Sequence, residues 1–268
     1  MGFLPEEFSG FISPQCNRLN FIRSWLSSKG IDSTEISIDG KNHILVQFEK
    51  SAYNPKFRIK TVIAHYDRVE GSPGANDNSA AVWQIMNWAV QLKSYQYFHN
   101  VRIFFTDGEE LGSNTGVTEQ GAFGIASTFQ RLGIKDDVYV FDACGRGNIP
   151  VLSMLNLGPK TPAAFVKTAS DLYVRTQNIL KKATGGRWLT LPTPYSDNAS
   201  FLACGIPAVA IIMLPDEEAS LYAVNTSNLP LTWKLFHSEK DNEHSLTPES
   251  FFIMEKILTV LAETKIPC

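Results

Sequence analysis

Thr106-Asp107-Gly108-Glu109-Glu110-Leu111-Gly112 sets two adjacent carboxylates directly after an apolar, β-forming run, Val101-Arg102-Ile103-Phe104-Phe105. Such a run reads as a buried strand. In an open α/β sheet, ligands bind just beyond the C-terminal ends of the strands. Neighbouring side chains on extended backbone point to opposite sides. One carboxylate can therefore hold a metal while the other addresses a substrate. Taken alone, the pair reads better as a solvated acidic loop, because short motifs match by chance.

Other segments repeat the arrangement. Thr61-Val62-Ile63-Ala64 reads as a second buried strand and is followed by His65 and Asp67. The glycine-rich loop after it leads to Asp77. Val138-Tyr139-Val140-Phe141 ends at Asp142, and a late loop carries His237 and Asp241. If the strands are parallel neighbours, these groups meet at one sheet edge. Several carboxylates packed together resist ionisation, and a multivalent cation resolves the conflict. Histidine mixed with carboxylate suits zinc, with manganese or cobalt as alternatives. His43, His99 and His244 stand in ordinary surface or core contexts. Charge balance favours two ions. Two divalent cations neutralise Asp77, Glu110, Asp142 and one bridging hydroxide, and one shared carboxylate can span the roughly 3.5–4 Å between such ions.

The elements that must position these residues are legible. Residues 14–29 read as a helix between Pro14 and Gly30. Thr34–Asp39 and His43–Phe48 read as a hairpin turned by Asp39-Gly40. Helical spacing marks 79–92 after an N-cap at Asp77, Asn78 or Ser79, and 121–132 before Gly133. Residues 145–160 read as loop and edge strand. Residues 162–182 read as a helix with Phe165, Val166, Leu172, Ile179 and Leu180 inward. An irregular stretch runs from 185 to 197. A short helix at 198–204, the strand Ala208–Met213, a long connection and a helix from Pro248 to Glu263 follow. That last helix is expected to turn Phe252, Ile253, Ile257, Leu258 and Leu261 inward. Alternating strands and helices predict an α/β fold with a central mixed, mostly parallel sheet covered on both faces. We expect one domain, 1–268.

Composition narrows the partners. The 268 residues carry a net charge of -3 with no basic run, which argues against nucleic acid. No apolar segment approaches the roughly 18 residues of a membrane span. The N-terminus lacks a basic region followed by an apolar core, so the expectation is a cytoplasmic chain without a signal peptide. Cys16, Cys144, Cys204 and Cys268 are widely spaced and read as free thiols, with a Cys144–Cys204 pair left open.

Six motifs occur in order: AHYD (64–67), GANDNSA (74–80), DGEELG (107–112), FDACG (141–145), YSDNASFLACGIPAV (195–209) and FHSEKDN (236–242). Together they resemble the co-catalytic zinc aminopeptidases of the bacterial leucyl aminopeptidase type, relatives of glutamate carboxypeptidase II and the glutaminyl cyclases. The resemblance spans about residues 60–265 and implies a three-layer, phosphorylase/hydrolase-like sandwich with a roughly eight-stranded mixed sheet. It implies that His65 and Asp142 hold one zinc, that Glu110 and His237 hold the other, and that Asp77 bridges them, often with a cis Asp77-Asn78 peptide. Glu109 is then the general base for hydrolysis of an N-terminal peptide bond by the bridging hydroxide, and peptides with a free N-terminus are the substrates. Asp67 orients His65, Asp241 supports His237 in the same way, and Tyr195 is a candidate oxyanion donor. Two departures, Ser196-Asp197-Asn198 and His237-Ser238-Glu239-Lys240-Asp241-Asn242, bear on the substrate pocket. Two further readings stand beside the aminopeptidase: a single-zinc glutaminyl cyclase, and a non-catalytic binding member of the fold. The oligomeric state is open.

Overall fold

A computed structural model describes residues 3–111 and 116–268, so Gly112 of the DGEELG motif lies outside the described residues. Its centre is an eight-stranded sheet. In chain order the strands are β1 (Thr34–Ile38), β2 (Lys41–Val46), β3 (Lys60–His65), β4 (Val101–Thr106), β5 (Asp137–Phe141), β6 (Ile149–Ser153), β7 (Leu189–Leu191) and β8 (Ala208–Leu214). In space the order is β1-β2-β4-β3-β5-β8-β6-β7. The central four, β4-β3-β5-β8, are parallel. Antiparallel pairings join β2 to β4, β1 to β2 and β6 to β8. The expected mixed, mostly parallel sheet is therefore present. The chain runs from β3 to β4 on one side and then to β5 on the other, so β3 is the topological switch point, where a crevice opens past the strand ends.

Both faces of the sheet are covered, which is why the central strands read as continuous apolar runs. Alternation divides each strand between two cores. Val62, Ala64, Tyr139 and Phe141 face α3 (Ala80–Lys93), α5 (Ala163–Thr184) and α9 (Pro248–Glu263). Ile63, Val138 and Val140 face α4 (Gly121–Leu132) and α6 (Asn198–Ala203), against Phe129 and Phe201. The hairpin turns at Asp39 (φ 50°) and Gly40 (φ 75°), the paired left-handed geometry of a two-residue type I′ turn. At Gly121, which opens α4, a Cβ would collide with the Asp107 carbonyl. Only glycine lets α4 pack against the loop that carries Glu109.

Several boundaries differ from the sequence reading. The first predicted helix, α2 (Arg18–Ser28), begins beyond Pro14, with Asn17 accepting from the Asn20 N–H as N-cap. An unexpected α1 (Glu6–Ile12) precedes it. It is too short to show periodicity and is held by Phe8 edge-on to Trp83 and Phe11 stacked on Phe21. The strand read at an edge, β6, lies between β8 and β7, and β7 forms inside the stretch read as irregular. The long connection after β8 contains α7 (Asp216–Val224) and α8 (Leu231–Leu235). Phe252 is 59% exposed, and Met254 takes its expected place inside; Val166 on α5 is also exposed. All four cysteines are free, so Cys144 and Cys204 do not pair.

Candidate metal centre

Three neighbouring strand ends supply most of the site. His65 is the last residue of β3, Glu109 and Glu110 follow β4, and Asp142 follows β5. Asp77 enters on the irregular turn Ala75–Ser79, with a cis peptide between Asp77 and Asn78. His237 follows α8 and lies outside the sheet. It is 53% exposed, whereas His65 is 1% exposed.

The structure brings the named residues into two sets that share Asp77. His65 Nε2 lies 3.2 Å from Asp77 Oδ1 and 3.6 Å from Asp142 Oδ1. His237 Nε2 lies 3.3 Å from Asp77 Oδ2 and 3.0 Å from Glu110 Oε2. Each oxygen of Asp77 thus faces a different set. Ligand atoms on a tetrahedral ion with bonds of 2.0–2.1 Å stand about 3.4 Å apart, so both sets have the spacing of ligands around an ion. The buried His65 Nε2, Asp142 Oδ1 and Glu110 Oε1 have no hydrogen-bond partner. Orphaned buried polar atoms are costly unless something else satisfies them. A nitrogen/oxygen donor set with this spacing fits zinc. The ligand atoms of His65, Asp77 and Asp142, of Asp77, Glu110 and His237, and of His65, Glu109 and Glu110 each fall within 4.8 Å of one another.

The protein's own charges are frustrated here. Burial pushes Glu109 up to about 9, despite His65, with Asp142, Asp197 and Glu110 adding to the effect. Burial and then Asp77 push Glu110 up to about 8. Burial opposes protonation of His65, yet Asp142, Asp67 and Asp77 together hold the imidazole well above its ordinary value. Burial also disfavours ionised Asp77, but His237 and His65 outweigh it and hold the carboxyl well below the usual range. Protons thus gather where divalent charge would replace them.

Supporting contacts fix the geometry. Asp67 Oδ1 stands 3.4 Å from His65 Nδ1, and its Oδ2 accepts from the Glu110 N–H at 2.9 Å. One carboxylate therefore ties the β3 end to the Glu109-Glu110 loop. Asp241 does not touch His237 as anticipated. Its oxygens accept from the N–H groups of Asn76 and Asp77, at 2.8 and 3.0 Å, and so hold the Asp77 turn. The Asn78 amide bridges the Phe141 carbonyl and the Ala143 N–H on either side of Asp142. Tyr195 is 84% exposed on the loop before α6. Its side chain takes no part in the contacts among these residues.

Sequence reading passed over other groups. Gln120 donates to Glu109 Oε1 at 3.2 Å while its carbonyl accepts from Ser200 Oγ at 3.0 Å. Nothing in its sequence context signals this. Asp197 is fully buried, is bonded to Thr106 Oγ1 at 2.5 Å and is raised by burial to about 6. Its place in the YSDN motif was the available signal. Arg18 of α2 is buried and donates to the carbonyls of Tyr66, Asp67 and Pro73, bracing the loops beside His65 and Asp77.

The chain belongs to peptidase family M28, whose model matches residues 44–262. Among solved structures, it superposes on an aminopeptidase of Legionella pneumophila with a TM-score of 0.69 at 16% identity, covering 96% of this chain and 69% of that one. A glutaminyl cyclase of Porphyromonas gingivalis gives 0.68 at 17% identity, covering 96% and 94%. A Zn-dependent exopeptidase of Parabacteroides distasonis gives 0.66 at 15% identity, covering 96% and 94%. Likeness at these identities establishes the shared fold. No curated protein gives a significant match. Among the described residues, no helix is long and apolar enough to cross a membrane.

Proposed function

We propose that this chain is a two-zinc aminopeptidase that removes the N-terminal residue of a peptide. The observation that carries the reading is Asp77, whose two oxygens face two complete ligand sets. His65, Asp77 and Asp142 would hold one ion, and Asp77, Glu110 and His237 the other. When bound, such a pair supplies Lewis acidity that lowers the pKa of coordinated water toward neutrality and polarises a carbonyl. Manganese or cobalt would suit the same donors.

Glu109 belongs to neither of these two ligand sets and stands beside them. It takes the proton of the attacking water and delivers it to the leaving amine. Gln120 donates to one of its oxygens and so fixes the carboxylate. Asp67 sets the tautomer and ring angle of His65. The carboxylates around the centre are also the natural receivers of a free α-ammonium group, which accounts for an exopeptidase. Tyr195, exposed on the loop before α6, is the proposed oxyanion donor.

A second reading is glutaminyl cyclisation by the ion at Asp77, Glu110 and His237. Its support is that glutaminyl cyclases share this fold, the Porphyromonas gingivalis one with a TM-score of 0.68. Zinc content measured alongside turnover separates the two. Two zincs per chain with chelator-sensitive release of p-nitroaniline from aminoacyl-p-nitroanilides supports the peptidase. One zinc, no hydrolysis and ammonia loss from a Gln-peptide would replace it with the cyclase.

A further inference from the structure

His65, Glu110 and Asp142 are carried by the sheet. His65 is in register with Thr106, the Glu110 N–H is held by Asp67, and the Asp142 N–H bonds to the Ile211 carbonyl at 3.1 Å. His237 lies outside the sheet, and the carbonyl of its neighbour Ser238 accepts from Ser72 Oγ at 3.1 Å. It follows a five-residue helix, is half exposed, and sits at φ 58°, in the left-handed region. A non-glycine residue there persists only when its surroundings hold it. The arm in front of it packs Ala219, Tyr222 and Trp233 against β6 and β8, and one guanidinium joins it to the loop after Asp142.

Arg146 lies in the loop that follows Asp142. Its Nε donates to Thr232 Oγ1 of α8 at 3.1 Å, Nη1 to the Ser245 carbonyl at 3.0 Å, and Nη2 to Glu218 Oε1 of α7 at 3.2 Å. The other oxygen of Glu218 accepts from the Thr232 N–H at 2.8 Å, so α7 caps the start of α8. Ser245 in turn reaches Asp241 Oδ1 at 3.5 Å, and Asp241 holds the Asp77 turn. Arg146 therefore joins the segments that carry Asp142, His237 and Asp77. A planar fork with five donors suits such a hub, and lysine reproduces it only in part. Thr232 is 1% exposed and the Arg146 side chain 21%, so the contact is partly shielded from water, and a lost partner there costs more than on the open surface.

We propose that Arg146 is a positioning residue for His237, clamping the α7–α8 arm so that His237 completes the ligand set with Asp77 and Glu110. The inference rests on the metal reading above and assigns a specific asymmetry within it. Loss of the clamp should weaken the ion at His237 and spare the one at His65 and Asp142.

The test uses the full chain, stripped of metal and titrated with Zn2+ against a chromogenic chelator, with melting curves for every variant. Arg146→Ala should weaken one ion by about 10–100-fold and leave the other unchanged, the scale of lost outer support at metal sites. Thr232→Val, which removes only the hydroxyl acceptor, should show a smaller loss of the same ion, and Arg146→Lys should recover part of it. Arg175→Ala, which breaks the distant Arg175–Asp137 pair, controls for general destabilisation. The proposal is overturned if a folded Arg146→Ala binds both ions as the unaltered chain does. It is also overturned if both ions weaken together in step with the melting temperature, as in the control. If the unaltered chain binds a single ion, the two-ion reading fails, but the clamp still requires that ion to weaken in Arg146→Ala. If it binds none, both fall.

Discussion

Glu109 and Glu110 are adjacent and of one type, yet their surroundings separate them. Glu110 meets His237 at 3.0 Å, while Glu109 meets the amide of Gln120. The consequence is a clean substitution. Glu109→Gln should retain both zincs and lose about 10²–10⁴-fold in turnover, the usual worth of a positioned proton shuttle. Metal analysis beside kcat checks it, and unchanged turnover would remove Glu109 from the chemistry. Asp77→Ala should behave in the opposite manner, losing both ions because each set loses its shared carboxylate. A fully metallated Asp77→Ala would refute the bridge. Asp67→Asn should weaken zinc by about 10–100-fold, read by the same titration, since it disturbs both the His65 ring and the Glu110 backbone.

At the scale of elements, β3 is anchored at both ends by charge. Its last residue is His65. Its first, Lys60, is 1% exposed and donates from Nζ to the carbonyls of Leu261, Ala262 and Thr264, at 2.7, 3.1 and 2.7 Å. These carbonyls lie at the end of α9, where that of Leu261 also accepts the Thr264 N–H at 3.3 Å and a cation meets the negative end of the helix dipole. Lys60→Met keeps the length of the stem and strands the carbonyls of Ala262 and Thr264. It should cost about 2–4 kcal/mol in urea unfolding, with little effect on zinc affinity in the folded protein. A change below about 0.5 kcal/mol would show that water satisfies those carbonyls. The α7–α8 arm is the contrasting element. It packs Ala219, Tyr222 and Trp233 against β6 and β8, is joined by Arg146 to the loop after β5, and exposes Leu221, Val224, Leu229 and Leu231.

For the whole molecule, acid should be the weak direction. His43 and His99 are fully buried imidazoles, each lowered by burial from 6.5 to about 4. In each, Nδ1 accepts a backbone N–H, from Asp107 and Val101 respectively. Their folded values lie below the unfolded ones, so the unfolded chain binds more protons between pH 6.5 and 4. The stability they contribute is complete above pH 6.5 and drains away as pH falls toward 4, by roughly 2–3 kcal/mol apiece. Urea unfolding at pH 7 and pH 5 measures the loss, and equal stabilities would mean that neither ring stays neutral. Much of the molecule was legible beforehand, for physical reasons. Buried parallel strands must be continuous apolar runs, so β3, β4, β5 and β8 announced themselves, and the polar residues past their ends marked the crevice. The Asp39-Gly40 turn was visible because few residues adopt its geometry. What stayed hidden depends on partners distant in sequence. Helix α1 exists through Phe8 on Trp83, α8 through Glu218 and Arg146, and the inward face of α9 through contacts that favoured Met254 over Phe252. Gln120 and Asp241 show the same limit within the site. The sequence alone determined the family, the sheet and the inventory of possible ligands, because those follow from periodicity and motif. Only the tertiary structure decided that Asp77 faces both histidines, that Asp241 holds a backbone turn and that Arg146 joins the loop after Asp142 to the arm before His237, because each depends on distances between segments that no local pattern encodes.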